Sequence, residues 1–498
     1  MAILQNDIIY FILTDRFYGV NNLGFNNKID KKNPFKYHGG NFEGIIEKIP
    51  YLKKLGITAL WITPVYLQID LKNIDGYHGY WALDFNSINP SLYIDSGNYP
   101  KGSKKYMKDL VDELHKNGIK VILDMVVNHT GYSHPSLTGA ENPTPIKSSW
   151  FNTPNLSCEQ DEIEGQLASL PDLDLDLPDV CDYHIQSIID WIKETGIDAI
   201  RMDTVKHIER DFWNYFKTQV KGLYPDVNLI GEVLVYDVNL LSIYQKNWAF
   251  DELFDFPLQQ AIREVFVEDR PMTQFVSPMN SGSGILEYDK MYTNHNRLVT
   301  LLDNHDLSAR FFTYILDKQQ NDYDKACKIL KLALTFLFTI RGIPQIYYGT
   351  EVGLEGHHDP DNRRDFPWEL FSSKYLVKEE FKHQKEIFEL SCLLINLRKT
   401  INALHSGMFV NLYVDNFILV YLRYIENEVV IIAFHNGWND MPNEIEIHIE
   451  SNSNIPLRIK NLLRNKTLKS VLNKEKCIIQ NGIFKIKLLN KTAQIFNY

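Results

Sequence analysis

Apolar runs alternate with helical patterns along the chain as far as about residue 400. Runs rich in Ile, Leu, Val and Phe that end in a polar switch predict eight buried strands. The predicted strands are residues 8–13, 59–63, 121–127, 199–202, 229–231, 250–254, 298–302 and 345–348. Apolar spacings of three and four predict amphipathic helices at residues 41–55, 104–117, 182–195, 211–222, 322–340 and 381–400. Eight strands that alternate with helices indicate an α/β fold, the (β/α)8 TIM barrel.

Two stretches depart from this alternation. Residues 130–180 are rich in Ser, Pro, Asn and Asp and join the third predicted strand to the third helix. A structureless connection of that length is uncommon in a compact domain unless it is functional. From about residue 403 the helical pattern stops, and short alternating stretches such as 417–421 and 428–432 follow. This change predicts a small antiparallel β domain at the end of the chain.

Composition excludes some classes of protein. A chain of 498 residues with 44% hydrophobic content can bury a large core, and its length suggests two or three domains. A net charge of −11 speaks against nucleic-acid binding, which needs a basic surface. The absence of an apolar run of about eighteen residues speaks against a membrane span. We therefore expect neither nucleic acid nor membrane as a partner.

The cysteines and the N-terminal sequence bear on location. The five cysteines are odd in number, widely spaced and free of CxxC pairs, so free thiols are expected. The first residues lack the basic segment, apolar core and cleavage site of an export signal. These features favour a cytoplasmic location, and a secreted one would follow if a signal had been removed.

Three carboxylates follow predicted strands: Asp203, Glu232 and Asp306. Acidic side chains at the carboxyl ends of barrel strands are typical of catalytic groups. Two carboxylic acids can supply the nucleophile or base and the proton donor that cleave a glycosidic bond. A single acid is more often a helix cap or a surface ion-pair partner. Three strand ends that agree favour a catalytic cleft.

The motifs around these acids resemble those of the α-amylase family of glycoside hydrolases. The resemblance follows the family's order and is carried by DRF (15–17), YHGGNFEGI (37–45), GITALWITPV (56–65), GYHGYWALDF (76–85), DMVVNH (124–129), LPDLD (170–174), GIDAIRMDTVKHI (196–208), LIGEV (229–233), LLDNHD (301–306) and RGIPQIYYGTE (341–351). It implies that residues 130–180 form the family's inserted domain. The expected domains are then a barrel of residues 1–129 and 181–402, the insertion, and a C-terminal β-sandwich of residues 403–498.

The resemblance implies a role for each acid in a retaining hydrolase. Asp203 matches the nucleophile that forms a covalent glycosyl-enzyme, Glu232 the acid/base, and Asp306 the acid that supports the transition state. Such a mechanism places the first two carboxyl groups about 5–5.5 Å apart, with one protonated and the other ionised. Arg201 lies two residues before Asp203 on the same strand face and is placed to keep it charged. Glu232 has no such neighbour in sequence, so burial and nearby negative charges are expected to raise its pKa.

The resemblance also implies a set of sugar-binding side chains. Tyr80 matches a stacking platform, Lys206 and His207 match a pair on the leaving-group side, and Asp359 and Arg363 match a pair towards the non-reducing end. The full expected set is His78, Tyr80, His129, Arg201, Lys206, His207, His305, Asp359 and Arg363. A lone histidine is more often structural, and an exposed Asp–Arg pair is often only a surface ion pair.

A structural calcium ion is the cofactor that the resemblance implies. Asn128, Asp172 and the backbone carbonyl of His207 match family ligands, and hard oxygen donors suit calcium. Glu159 and Asp161 are both candidates for a further ligand. The alternative that Asn128 only orients the strand end stays open, because two side-chain oxygens are too few for a six- to eight-coordinate ion.

Different motifs in the chain favour different substrates. Lys206-His207, LPDLD and Val233 resemble α-amylases, whereas RGIPQIYYGTE followed by DPDNRRDFPW resembles cyclomaltodextrinases and neopullulanases. We expect a hydrolase of internal α-1,4-glucosidic bonds in starch, glycogen or maltooligosaccharides. The alternatives are a cyclomaltodextrinase- or neopullulanase-like hydrolase and a 4-α-glucanotransferase. A catalytically inactive sugar-binding or scaffold relative is a further alternative, against which the three retained carboxylates speak.

Overall fold

The computed structural model describes residues 2–20, 25, 28–153, 156–248, 250–277, 284–372, 381–438 and 443–497. In chain order its strands are β1 (Ile9–Ile12), β2 (Ala59–Ile62), β3 (Tyr66–Gln68), β4 (Ala82–Ile88), β5 (Lys120–Met125), β6 (Ala199–Met202), β7 (Asn228–Gly231), β8 (Glu252–Phe254), β9 (Leu298–Thr300), β10 (Ile343–Tyr347), β11 (Met408–Val414), β12 (Ile418–Tyr424), β13 (Val429–His435), β14 (Asn443–His448), β15 (Thr467–Ser470), β16 (Lys476–Gln480), β17 (Ile483–Leu488) and β18 (Thr492–Asn497). The α-helices are α1 (Thr14–Phe17), α2 (Phe42–Glu47), α3 (Ile49–Leu55), α4 (Lys105–Lys116), α5 (Pro135–Thr138), α6 (Pro178–Thr195), α7 (Arg210–Leu223), α8 (Val238–Asn247), α9 (Phe256–Ile262), α10 (Phe311–Lys318), α11 (Tyr323–Thr339), α12 (Lys382–Thr400), α13 (Asn402–Ser406) and α14 (Leu457–Leu463).

Eight parallel strands close into a barrel in the order β1-β10-β9-β8-β7-β6-β5-β2. Every residue of β1, β2, β6, β7 and β10 is buried, as expected for parallel strands covered on both faces. All eight predicted strands are present, so the predicted TIM barrel is confirmed. The order places β6 directly beside β7, and this neighbour relation brings two of the predicted acids together.

The predicted helices are present, with one difference. The pattern over residues 41–55 predicted one helix, but the structure has α2 and α3 with a break at Lys48. Pro50 lies in the first turn of α3, where its missing N–H leaves no hydrogen bond unmade. Gly56 then ends α3 in the left-handed conformation, with φ of 97°. A single apolar period cannot show such a break because both helices present the same face.

Between β5 and α6 the chain makes a long excursion beside the barrel. It holds the short helix α5, and isolated bridges pair His129 with Asp172 and Phe151 with Leu173. These bridges join the end of the excursion to its beginning, so both ends meet at the rim of the barrel. The expected domain limits at residues 130 and 180 stay a prediction.

The C-terminal strands form an antiparallel sheet in the order β11-β12-β13-β18-β15-β16-β17-β14, which confirms the predicted antiparallel domain. Side chains of β12 alternate between two cores: Val420 and Leu422 join the cluster inside the C-terminal domain, whereas Leu419 and Tyr421 join the barrel's cluster. The sheet is therefore fixed to the barrel by its own apolar face.

Two further expectations concern the chain as a whole. All five cysteines are free, as predicted. No helix within the described residues has the length and apolar character needed to cross a bilayer.

Candidate active site

A cleft of about 610 Å³ opens at the carboxyl ends of the barrel strands and contains all three predicted acids. Asp203 follows β6, Glu232 follows β7, and Asp306 lies in the loop after β9. The backbone amide of Glu232 donates to the carbonyl of Met202, so the ladder between the two strands continues to the acid itself. The side-chain carboxyl groups of Asp203 and Glu232 therefore lie at the same rim of the barrel.

Most of the predicted sugar-binding side chains line the same cleft. They are His78, Tyr80, His129, Lys206, His207, His305, Asp359 and Arg363. Arg201 is fully buried behind the acids. The cleft also contains groups that the sequence did not single out as sugar-binding, including Trp81, Tyr132 and Glu162.

Arg201 is shared among three carboxylates. Its Nη1 donates to Asp203 Oδ1 at 2.6 Å and to Asp124 Oδ1 at 2.9 Å. Its Nη2 forms an ion pair with Glu232 Oε2 at 3.0 Å. The expected pairing of Arg201 with Asp203 is present, and Glu232, which has no such partner nearby in sequence, shares the same arginine. Because β6 lies beside β7, the fold brings Glu232 to an arginine that is distant in sequence.

Glu232 carries a strongly raised pKa despite this ion pair. Burial is the largest cause, and the charges of Asp203 and Asp306 raise the pKa further. Arg201 and the backbone amide of Thr204, which donates to Oε2 at 3.1 Å, oppose the rise. The result is a pKa of about 8, in the predicted direction and from the predicted causes. At neutral pH Glu232 is therefore protonated and can act as an acid.

Asp306 lines the same cleft, and its side chain is 35% exposed. Burial raises its pKa to about 6, while the charges of Arg363 and Arg201 oppose the rise. Arg363 Nη2 lies 3.8 Å from Asp306 Oδ1. Burial also lowers the pKa of neighbouring His305 well below its usual range. A neutral imidazole beside a largely ionised carboxylate suits hydroxyl groups, which both donate and accept hydrogen bonds.

Asp124, to which the sequence patterns assigned no role, contacts several residues of the cleft. Its Oδ2 accepts from Tyr80 Oη at 2.7 Å and from Trp61 Nε1 at 3.1 Å, while its Oδ1 accepts from Arg201. Burial is the main reason why its pKa rises to about 7. The signal was present, because an acid inside a buried predicted strand needs partners. Asp124 connects the aromatic floor of the cleft to the arginine behind the acids.

The predicted stacking residue Tyr80 lies between two imidazoles. Its ring centroid is 5.1 Å from that of His305 and 5.8 Å from that of His78, with nearly parallel planes. Both ring nitrogens of His129 are buried without a hydrogen-bond partner among the described residues. Buried polar atoms in native structures are usually satisfied. His129 is therefore suited to a ligand hydroxyl.

Two charged pairs line the cleft. In the first pair Lys206 Nζ lies 3.2 Å from Glu162 Oε1, and the Glu162 carbonyl accepts from His207 Nδ1 at 2.9 Å. In the second pair Arg363 Nη1 lies 3.2 Å from Asp359 Oδ1. Arg363 is buried whereas the Asp359 side chain is 55% exposed. Asp359 and Arg363 thus form the ion pair that the alternative interpretation expected, and both residues also line the cleft.

The expected calcium ligands Asn128 and Asp172 contact each other. Asp172 Oδ1 accepts from Asn128 Nδ2 at 2.5 Å, and its Oδ2 accepts from Asn152 Nδ2 at 2.8 Å. Asn128 Oδ1 is buried and has no hydrogen-bond partner among the described residues. A carboxylate beside an unsatisfied amide oxygen fits the donor chemistry of calcium.

The candidates for a further ligand differ in their surroundings. Asp161 Oδ1 accepts from the backbone amides of Ile163 and Glu164, which engages it in its own turn. Glu159 lines the cleft. Within the part of the chain that is described, no three His, Cys, Asp or Glu side chains group around a common metal position. Any ion here would need backbone carbonyls or water as additional ligands.

A barrel that presents a protonated acid beside a second carboxylate in an open cleft has the arrangement of a glycoside hydrolase. The family model for the α-amylase catalytic domain matches residues 11–407. The chain therefore belongs to the α-amylase family of glycoside hydrolases.

Individual relatives agree with this assignment. The α-amylase of Geobacillus thermoleovorans, solved in complex with acarbose, has 31% identity and a TM-score of 0.80, and the match covers 100% of this chain and 99% of that one. The cyclomaltodextrinase of a Bacillus species is 31% identical over 81% of this chain and 67% of its own length. The beta/alpha-amylase of Paenibacillus polymyxa is 31% identical over 98% of this chain, which spans only 37% of that relative.

Proposed function

We propose that this protein is a retaining hydrolase of internal α-1,4-glucosidic bonds in starch, glycogen or maltooligosaccharides. The observation that carries the proposal is Glu232, an acid with a pKa of about 8 that shares Arg201 with Asp203 in an open cleft. One carboxyl group is protonated while an arginine stabilises the charge of the other, as a double displacement requires.

In the first step Asp203 attacks the anomeric carbon, and a bond forms between its carboxylate oxygen and the sugar. The glycosidic bond breaks as Glu232 donates its proton to the leaving oxygen. In the second step Glu232, now ionised, takes a proton from water, and the water oxygen displaces Asp203 from the sugar. Two displacements at one carbon restore its configuration, so the product keeps the α configuration.

The remaining side chains hold the sugar between these two groups. Asp306 and His305 face the cleft together, and hydrogen bonds from sugar hydroxyls to them would strengthen as positive charge develops on the ring. The unpaired nitrogens of His129 offer further contacts. Tyr80 supplies an apolar ring face whose hydroxyl is fixed by Asp124. These groups orient the sugar for attack by Asp203.

Replacement of Asp203 by Asn tests the nucleophile. The variant should bind maltoheptaose in calorimetry with an affinity close to that of the wild type but lose turnover by several orders of magnitude. Asp226→Asn, which changes an exposed carboxylate ahead of β7, is the control and should remain fully active. Unchanged turnover in Asp203→Asn would contradict the assignment. A wild type that binds maltoheptaose without cleaving it would favour an inactive sugar-binding protein.

A cyclomaltodextrinase is the second candidate, supported by the 31% identity to the Bacillus enzyme of that name. A time course with maltoheptaose and β-cyclodextrin, resolved by chain length, separates the candidates. An α-amylase should release short maltooligosaccharides from the linear substrate and attack the ring slowly. Faster ring opening would identify a cyclomaltodextrinase. Products longer than maltoheptaose would show a 4-α-glucanotransferase, in which sugar replaces water in the second step.

We also propose that Asn128, Asp172 and the backbone carbonyl of His207 hold a structural calcium ion. The unpaired buried oxygen of Asn128 beside the Asp172 carboxylate supports this proposal. The ion would tie the excursion after β5 to the barrel rim and neutralise a buried carboxylate. Chelator-treated protein should regain several degrees of Tm when calcium is added, and Asp172→Asn should abolish that gain. An unchanged Tm together with no calcium in elemental analysis would contradict the site.

A further inference from the structure

Glu162 lies in the excursion between β5 and α6 and makes two contacts with the loop after β6. Its carboxylate Oε1 is 3.2 Å from Lys206 Nζ, and its backbone carbonyl accepts from His207 Nδ1 at 2.9 Å. Because a carbonyl can only accept, the proton of a neutral His207 stays on Nδ1. The Nε2 of that imidazole is then an acceptor. One residue of the excursion thus fixes both members of the Lys206-His207 pair.

The ion pair is too exposed to serve mainly as a structural link. The Glu162 side chain is 56% exposed and that of Lys206 is 26% exposed. Ion pairs between such side chains contribute about 0–1 kcal/mol to stability. The folded structure therefore gains little from this contact.

The position of the pair indicates a different role. Glu162 and Lys206 line the same cleft as Asp203 and Glu232, Glu162 from the excursion and Lys206 from the loop after β6. A carboxylate offers about four acceptor sites and an ammonium group three donors, so one mutual contact leaves capacity for a ligand. Neighbouring hydroxyl groups of a sugar can donate to the carboxylate and accept from the ammonium at the same time. A neutral sugar needs this combination rather than a single charge.

We propose that Glu162, acting with Lys206, binds the sugar on the leaving-group side of the scissile bond. This inference rests on the proposed glucan-cleaving function and deepens it. Because the same position receives an incoming sugar in the reverse direction, Glu162 also sets how often the covalent intermediate is attacked by sugar instead of water. The residue is therefore a specificity determinant contributed by the excursion.

A pair of substrates isolates this role. Maltotetraose leaves a sugar in the cleft after the first step, whereas α-maltosyl fluoride leaves only fluoride and needs no leaving-side sugar. Glu162→Gln keeps the size of the side chain but removes its charge. The KM for maltotetraose should rise about 3–10-fold, the range expected for a weakened charged hydrogen bond, with kcat little changed. Kinetics with α-maltosyl fluoride should equal those of the wild type.

The transfer reaction provides a second readout. Maltose added to α-maltosyl fluoride should yield maltotetraose with the wild type, and Glu162→Gln should lower the ratio of transfer to hydrolysis. Glu164→Gln is the matched control, because Glu164 is exposed in the same segment and does not line the cleft. For maltotetraose, the loss in kcat/KM expressed as a free energy should be smaller in the double variant Glu162→Gln/Lys206→Met than the sum of the losses in the two single variants, because both side chains contact the same sugar.

The outcomes separate the possible failures. An equal loss in kcat/KM for maltotetraose and for α-maltosyl fluoride would show that Glu162 only maintains the shape of the cleft and would overturn the inference. Kinetics within twofold of the wild type on maltotetraose, with an unchanged transfer ratio, would overturn it as well. A wild type that cleaves neither substrate would overturn the proposed function itself. Equal Tm values for the variants and the wild type would show that altered folding does not explain the result.

Discussion

At the scale of single residues, the proposed acid Glu232 is expected to determine how the rate depends on the leaving group. Replacement by Gln removes the proton donor but keeps the shape of the side chain. Maltotetraose cleavage should fall about 10²–10⁴-fold, because an alkoxide leaves poorly without protonation. The first step with α-maltosyl fluoride should be much less affected, because fluoride leaves without a proton. An equal loss in the burst phases of the two substrates would contradict the role of Glu232 as acid.

The pKa of Glu232 also predicts a pH profile. Its folded-state pKa of about 8 lies above the ordinary value of 4.5, so the acid form persists through neutral pH. The kcat/KM for maltotetraose should therefore fall as pH rises through about 8, by about tenfold per unit above it. The alkaline decline should be absent from the first step with α-maltosyl fluoride. A profile for maltotetraose that stays flat to pH 9.5 would contradict this assignment.

The same pKa affects stability. Between pH 4.5 and 8 this carboxyl is ionised in the unfolded chain but protonated in the folded protein, so it increasingly favours unfolding across that range. The destabilising effect is complete above pH 8 and absent below pH 4.5. The proposed catalytic acid is thus present at the expense of stability near neutral pH.

Residue patterns predicted the acids but not their common arginine. Asp203 and Arg201 are two residues apart and could be connected from the sequence, whereas the contact of Arg201 with Glu232 depends on the pairing of β6 with β7. Likewise, Glu162 stands in a stretch without periodicity, where no pattern indicates which side chain turns towards the cleft. Contacts between neighbouring strands follow from barrel topology, whereas contacts from irregular segments do not.

At the scale of elements, the end of β7 is tightly packed against a residue just before β8 and a residue within it. A Cβ at Gly231 would meet ring carbons of Phe250 at 2.8 Å and a methyl group of Leu253 at 3.1 Å. Gly231→Ala should therefore displace the strand end that carries Glu232. We expect a loss of about 1–3 kcal/mol in unfolding free energy, typical of overpacking, together with a fall in kcat.

Gly222→Ala in α7 is the control for this change. A Cβ at Gly222 meets no atom within 4 Å. Alanine in a helix should leave Tm unchanged or raise it slightly, without effect on kcat. Thermal unfolding and maltotetraose kinetics of the two variants make the comparison. A Gly231→Ala variant with the Tm and kcat of the wild type would show that the strand end can relax.

Elements with a clear pattern of apolar residues could be predicted from the sequence, and elements with a weak pattern could not. All eight barrel strands appear because buried parallel strands read as continuous apolar runs. Helices α1, α5, α8, α9, α10, α13 and α14 were not predicted, because they are short or lie directly beside other elements and show too few turns for a period.

At the scale of the whole molecule, the barrel and the C-terminal sheet share buried arginines. Arg398 in α12 is fully buried, and its Nη1 donates to the carbonyls of Phe338, Ile340 and Leu404. Arg423 in β12 donates to Thr339 and Gly407 nearby. These bonds satisfy carbonyls at the end of α11 and after α12, where the barrel passes into the sheet.

Arg398→Met should consequently weaken the whole structure rather than the cleft. Several buried carbonyls would lose their donor, and we expect a loss of about 3 kcal/mol or more in unfolding free energy. Below the unfolding temperature, kcat for maltotetraose should stay close to that of the wild type. Lys399→Met, at the exposed neighbouring position, should change little. A low-temperature kcat that falls in parallel with stability would argue against this separation.

The shared position of Arg201 has a consequence for the order of events during turnover. In the proposed mechanism Asp203 loses its negative charge when it bonds to the sugar, and that charge had made ionisation of Glu232 unfavourable, while Arg201 still faces Glu232 and Asp124. We therefore expect the pKa of Glu232 to fall at that point, so that the group that has just donated a proton can remain ionised and accept one from water. Glu232 would therefore have a high pKa before the ester forms on Asp203 and a lower pKa while the ester exists, so that its pKa changes twice in each catalytic cycle.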